Sequence, residues 1–515
     1  MLNEFSKRAV SVRLLLFVAL MGAVGCSDRH DEDTVVATKD QTGAAIVDEA
    51  DEGEKSITLL PVPTIKVTGP IKATESETRE IRTLIKKIAD LDSPDFGLSA
   101  TLSGSSFAPI PSFHDLGTMV FTNHGVKTND AFKKLVEFGP KALPFLLGSL
   151  DDKSKTKLKI KNAFGGVTWF GHEIRGNPAN NEESAALKGA RTTHERNAET
   201  PYTVQIGDVC FVAIGQIVNR AYSAVRYQPS GNVVFNSPVQ DKKLAAEVRA
   251  IWGKSADSQK LLDSLLVDFQ SRGDRSEGFQ TGAAMRLAYY FQNESSSIIA
   301  ERLKGLDVTT DWQTAKAANG VDSDDLIRAV AFSMDRRIKD ELFDIFKRTT
   351  HEGTMAASLP AIGKEHDEEV FGLLLKRLDG PQLVDGKDYA HDTLLQPLGD
   401  RFADRAKAAF GRYLNEDNIV RRHNICQTLQ KTCGNLSIEL LAPFLTDKRE
   451  VDGKYSEKPD NKGPWLRMRV CDEAAHSISM NNSALKFELT GTHDDLDRQI
   501  NEMEQKIAKM PNDGG

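Results

Sequence analysis

The sequence predicts an all-α fold of helix pairs stacked side by side, and three observations carry that prediction. Apolar residues recur at helical spacing from residue 74 onward, as in Ile81, Leu84, Ile85 and Ile88. Turn residues separate the helical stretches, with Gly139-Pro140 breaking the run from 129 to 150. Arg422-x-x-Ile425-Cys426 recurs as Arg467-x-x-Val470-Cys471, an offset of 45 residues. That offset falls inside the ~40–47 residue period of helical repeats.

The first 25 residues predict a secretory signal. Lys7, Arg8 and Arg13 supply the basic start, and the apolar stretch at 14–24 is too short for a spanning helix. Ala23-Val24-Gly25 then precedes Cys26. The segment resembles the lipobox of bacterial lipoproteins, with Ala23 where leucine is commoner. The resemblance implies that Cys26 is acylated and becomes the mature N-terminus, although plain cleavage at the same bond would suit this sequence too. The chain carries a net charge of −8, and losing Lys7, Arg8, Arg13 and Glu4 with the signal leaves about −10. Residues 28–55 hold ten acids against Arg29, Lys39 and Lys55. So acidic a segment, poor in aromatics, cannot bury enough apolar surface to offset its ordering entropy, so 26–57 reads as a disordered tether.

A capping box, Thr74-x-x-Glu77, opens the first amphipathic helix, and 93–124 reads as irregular packing. The block from Ala131 to Asp152, AFKKLVEFGPKALPFLLGSLDD, resembles a HEAT repeat: two antiparallel helices, a tight turn and Asp after the second. A third copy of the small-residue helix is Val209-Cys210-x-x-Ala213, matching Val470-Cys471-x-x-Ala474. Further pairs fall at 281–291 with 294–306, 324–333 with 338–349, 352–362 with 366–379, and 419–432 with 435–446. The resemblance therefore implies an α-solenoid of HEAT-like repeats over 74–490. Leu496, Ile500, Met503 and Ile507 suit a capping helix at 493–510.

Two stretches break the helical pattern. Residues 157–207 form a long polar insertion, and connections of that length are usually functional or disordered. At 224–236, Val225-Arg-Tyr227 and Val233-Val-Phe235 flank Pro229-Ser-Gly-Asn232, predicting a β-hairpin. Within the insertion, His172-Glu173 and His194-Glu195 offer two imidazoles and two carboxylates to a divalent metal. Adjacent side chains on an extended chain point to opposite sides, so a shared site requires the segment to fold back; ordinary loop polarity is the plainer reading. Trp169-Phe170 could form a ligand platform or pack the loop down. His366-Asp367 and His391-Asp392 are similar to the His-Asp pairs of metal-dependent phosphohydrolases, but acids at a helix start already have a structural reason there. Cys471 lies near His476, yet Asp472 and Glu473 would raise a thiol pKa, the wrong direction for a nucleophile.

Cys210 and Cys471 read as core residues, while Cys426 and Cys433 lie seven apart on one predicted helix, ~10 Å between Cα atoms and beyond disulfide reach, so no disulfide framework is expected. Outside the tether the chain is nearly neutral, which argues against nucleic acid as partner. Lys153, Lys155, Lys157, Lys159 and Lys161 alternate along a connection or edge strand. No phosphate-binding glycine loop follows a strand and no nucleophile elbow occurs, so no cofactor is expected. The expectation is an exported, lipid-anchored scaffold that binds a protein partner at the cell envelope. The alternatives are an envelope hydrolase or lyase using the 157–207 insertion, and a structural spacer. Replacing Cys26 by Ser should abolish acylation and move the chain from the membrane fraction to the soluble one; mass spectrometry of the N-terminal peptide and fractionation check this.

Overall fold

The computed structural model describes residues 57–69, 71–92, 106–110, 129–160, 167–187, 194–196, 201–227, 232–253, 258–273, 276–378, 389–402, 405–406, 410, 419–429, 436–458 and 463–510. Cys26, Cys433, the tether and most of 93–124 lie outside them. Helix predominates, with small sheets. Among the described residues no helix is long and apolar enough to cross a membrane. The chain divides into two compact units: one runs to Ile299 and takes in Gly320–Asp322, and the other comprises Ala300–Asn319 and the chain from Ser323 onward.

In the first unit, β1 (Thr58–Leu59) precedes α1 (Glu75–Lys87), whose capping box forms with Thr74 accepting from the Glu77 amide. Lys141 donates to the Glu77 carboxylate at 2.7 Å, which with the Thr74 amide lowers its pKa to about 2. Next come α2 (Asp130–Phe138) and α3 (Leu143–Gly148). The break between them is forced at Gly139, where φ is 53° and an added Cβ would lie 2.3 Å from the Tyr290 ring.

Within 157–207, where the sequence places an irregular insertion, the described residues include short strands and one short helix, and 161–166, 188–193 and 197–200 lie outside them. β2 (Lys155–Ile160) buries Thr156, Leu158 and Ile160 and exposes the alternate lysines. It pairs antiparallel with β5 (Tyr202–Gln205), with Ile160 opposite Tyr202. Between them lie β3 (Thr168–Gly171), α4 (Asn181–Ala186) and β4 (His194–Arg196). The next helix, α5 (Ile206–Val218), is buried along its whole length and packs on α2 and α3. β6 (Val225–Tyr227) and β7 (Val233–Phe235) pair antiparallel, but not as an isolated hairpin: β7 also runs parallel to β3, giving the sheet order β4-β3-β7-β6. α6 (Lys242–Trp252), α7 (Ser258–Gln270), β8 (Ser271–Arg272) and α8 (Glu277–Tyr290) follow, and the unit ends within α9 (Gln292–Lys304) at Ile299.

The interior of this unit is charged at one point. Asn219 ends α5 in the left-handed conformation, φ 61°. The next residue, Arg220, is fully buried; it donates to Glu183 from Nε at 2.7 Å and to Asp268 from Nη1 at 2.6 Å. Burial opposes its charge, but Asp268 and Glu183 hold the guanidinium pKa above its ordinary value. Asn219 and Asn177 donate to the same Asp268 carboxylate at 2.7 and 2.8 Å, so α4, the end of α5 and α7 close on one cation.

The second unit contains α10 (Trp312–Asn319), α11 (Ser323–Val330), α12 (Arg336–Arg348), α13 (Glu352–Ser358), α14 (Asp367–Leu378), α15 (Tyr389–Arg401), α16 (Ile419–Leu429) and α17 (Leu436–Leu441). A strand pair, β9 (Glu450–Ser456) with β10 (Trp465–Arg469), then leads into α18 (Val470–Asn481) and α19 (His493–Ile507). Side-by-side packing runs from α11 to α13, α13 to α15, α15 to α16 and α16 to α18. α19 lays Leu496, Ile500 and Met503 into the core they share.

Each unit repeats one module. Pro144-Phe145-Leu146 leads to Asp152, whose Oδ1 accepts from Ser154 N and whose carbonyl accepts from Gly207 N, while Ile206 N donates to Ser154 O. Pro443-Phe444-Leu445 leads to Asp447, whose Oδ1 accepts from Arg449 N and whose carbonyl accepts from Cys471 N, while Val470 N donates to Arg449 O. In both, two antiparallel strands run into a helix capped at its third position, by Asp208 and by Asp472. The structural equivalence is therefore Asp208 with Asp472, three residues out of step with the Val209-Cys210 to Val470-Cys471 match. The Arg422 and Arg467 motifs are not equivalent either, because Arg422 lies within α16 and Arg467 on β10.

Replacing Arg220 by Ala strands Glu183 and Asp268 as buried uncompensated carboxylates. The expected loss is about 3–5 kcal/mol, read as a lowered denaturant midpoint, with partial recovery when Asp268→Asn is added.

Candidate functional site

The sheet β4-β3-β7-β6 positions the residues that the sequence singled out. Thr168-Trp-Phe-Gly171 is a β-forming run, and Phe170 packs against Tyr202 and Phe235 with ring centroids 5.7 and 6.3 Å away. Beyond β3 the chain delivers His172 and Glu173 in succession.

His172 is 5% exposed and held between two acids, Nδ1 at 2.5 Å from Asp241 Oδ2 and Nε2 at 2.6 Å from Glu247 Oε2. Asp241 also caps α6, accepting from Lys243 N and Leu244 N. Burial pushes the Asp241 carboxyl upward, but the His172 bond and the capping amides outweigh it and lower its pKa. With a carboxylate on each ring nitrogen, His172 has no lone pair open to a metal or to a substrate proton in this geometry.

Glu173 goes to different partners. Arg226 grips it through Nε at 2.7 Å and through Nη2, Asn236 Nδ2 lies at 3.3 Å, and the Glu173 amide donates to Asn236 Oδ1 at 3.1 Å. The carboxylate in turn raises the Arg226 pKa. The fold-back that a shared site required does occur in the backbone, since His194 lies opposite Gly171 and Glu195 opposite Phe170. Their side chains lie outside the described residues. His172 and Glu173 themselves do not converge on a common centre.

The other candidates are dispersed. His366 stacks on Phe343 at 4.1 Å, and Asp367 at the start of α14 pairs with Arg401 at 2.6 Å. His391 and Asp392 fall in the first turn of α15, not before it, and their side chains are outside the described residues. Burial and Asp472 push the Cys471 thiol up to about 12, and burial lowers His476. Cys210 and Cys426 are likewise buried free thiols.

Sequence reasoning missed two buried acidic centres. One is the Arg220 cluster. The other is Asp208, 1% exposed, which accepts from Ser237 Oγ at 2.5 Å, Tyr202 Oη at 2.7 Å and Gln205 N at 2.9 Å. A lone acid inside the apolar run from Ile206 to Ile214 was the available signal. Burial raises its pKa to about 6 despite those three donors. Comparison with known proteins finds no matching family, no similar curated protein and no similar solved structure.

Because the folded chain holds the Asp208 proton more tightly than the unfolded chain, where an aspartate titrates near ~3.9, Asp208 stabilises the fold below about pH 4. That contribution fades as pH rises through about 6. Subtracting the stability profile of Asp208→Asn from that of the wild type should expose a decline on the order of 2–3 kcal/mol across this window, measured by urea unfolding at stepped pH.

Proposed function

We propose that the chain is an exported, lipid-anchored helical-repeat scaffold that binds a protein partner at the cell envelope. The observation that carries this reading is the row of helices in the second unit, α11 on α13, α13 on α15, α15 on α16 and α16 on α18. Successive members begin at 323, 352, 389, 419 and 470, spacings of 29, 37, 30 and 51 residues, so the row is one of neighbouring helices without a fixed period. Nearest-neighbour burial holds such a row together and leaves an extended surface for a partner. The signal segment and Cys26 support export and anchoring. A flexible tether of about 30 residues would place the body at a root-mean-square distance of ~30 Å from that anchor.

Occupancy of both His172 nitrogens weighs against the hydrolase or lyase alternative, which needs an open base or ligand. The near-neutral charge beyond the tether weighs against nucleic acid.

Crosslinking intact cells, solubilising the membranes and capturing the mature chain tests the proposal. The expected result is one stoichiometric protein partner, with crosslinks on α11, α13, α15, α16 and α18. Recovery of the chain alone overturns it. Bound metal with a hydrolytic activity lost in the His172→Ala/His194→Ala variant overturns it in favour of an enzyme.

A further inference from the structure

Residues 57–68 lie extended along the first unit and are held by their backbone. β1 pairs antiparallel with β8, Thr58 opposite Arg272 and Leu59 opposite Ser271. Leu60 N donates to Gln270 O at 3.1 Å. Farther on, the Gln259 side chain acts as a two-pronged clamp: its Nε2 donates to Ile65 O at 2.6 Å and its Oε1 accepts from Val67 N at 2.9 Å. Glu294 accepts from Thr68 N at 3.1 Å. Asp263 positions the clamp, accepting from Gln259 Nε2 at 2.8 Å.

Side chains add to this hold without being fully enclosed: Thr68 Oγ1 donates to the Glu294 carboxylate, and half-buried apolar residues lie against the unit. Ile57, Val62, Pro63, Ile65 and Val67 are half-buried, Thr64, Lys66 and Thr68 are exposed, and no residue from 57 to 69 is buried. Leu59 and Leu60 are 40% and 38% exposed. A segment with no buried residue and few hydrogen bonds opens at low free energy. Apart from the Thr68 hydroxyl, the groove reads backbone groups and, over residues 63–67, an apolar residue at every second position, which is how an added strand is recognised.

We propose that this groove, lined by α7, β8 and the start of α9, is a docking site for an extended peptide of a partner protein with apolar residues at alternate positions. Residues 57–68 fill it in the free chain as a placeholder. The inference rests on the scaffold reading and names the kind of partner segment it takes. The occupant's chemistry is that of the strap itself, Pro63-x-Ile65-x-Val67 on an extended backbone. Because the placeholder competes within the chain, an external peptide binds with an affinity reduced by the fraction of time the groove is open.

A labelled synthetic peptide with the sequence of residues 57–68 is the probe, titrated into the mature full chain by fluorescence anisotropy. Ile65→Asp with Val67→Asp weakens the strap and leaves the groove intact; the peptide should bind that variant at least about tenfold more tightly than wild type. Adding Gln259→Ala to it should cost about tenfold. Native-state hydrogen exchange of wild type supplies a readout independent of any variant's folding: the Leu60 and Val67 amides should exchange well ahead of the β2–β5 ladder. Equal peptide affinity for wild type and the strap variant overturns the proposal. So does indifference to Gln259, protection of the strap amides to the level of β2–β5, or a strap-exchanged dimer in place of peptide binding. None of these readouts uses a native partner, so failure here stays separate from failure of the crosslinking experiment.

Discussion

The buried guanidinium of Arg220 is the interaction on which the first unit depends. Glu183 and Asp268 are both removed from water, and neither would be tolerated there as a bare anion. One cation between them joins three segments far apart in the chain: the short helix α4, the turn that ends α5, and α7. The geometry is demanding. Asn219 must take a left-handed conformation so that Arg220 turns back inside, and its own amide then helps satisfy Asp268. The ion cluster selects one arrangement of these segments, because any other leaves a charge unpaired in the interior.

The two copies of the strand-to-helix module show the same constraint met with different chemistry. In the second unit the capping carboxylate of Asp472 faces Arg469, which donates from Nε at 3.0 Å and from Nη2 at 2.8 Å. In the first unit the equivalent Asp208 has no arginine at the matching position and relies on the hydroxyls of Tyr202 and Ser237. A formal pair holds one carboxylate and two neutral donors the other. The backbone hydrogen bonds around them are alike, so the junction geometry tolerates either a cation or neutral hydroxyl donors on the capping carboxylate.

Helices were legible wherever a local signal sufficed. Thr74 with Glu77, the Gly139-Pro140 break and the stripe Leu496, Ile500, Met503 each encode an element within a few residues of themselves. The strands were less so, because their pairing is set by distant partners. β3 is four residues long and is stabilised by β7, over sixty residues away. β9 is polar and carries Gly453, so its alternation is faint. The roles of His172 and Glu173 were hidden for a related reason: Asp241, Glu247, Arg226 and Asn236 all come from later in the chain. Similarity at the level of letters also misled, since the Val-Cys match is three positions out of step with the one the hydrogen bonds define.

Between Asp152 and Asp208 the chain runs 56 residues, against 25 between Asp447 and Asp472, so the first copy accommodates 31 more. All of that surplus leaves and re-enters through the ladder pair Ile160 and Tyr202. Because the two ends are pinned as neighbours whatever lies between them, lengthening the excursion adds loop-closure entropy only logarithmically. The module is thus a socket, and its first copy is the position in this architecture where new sequence can be accepted and shaped without redesign of the helices beneath it.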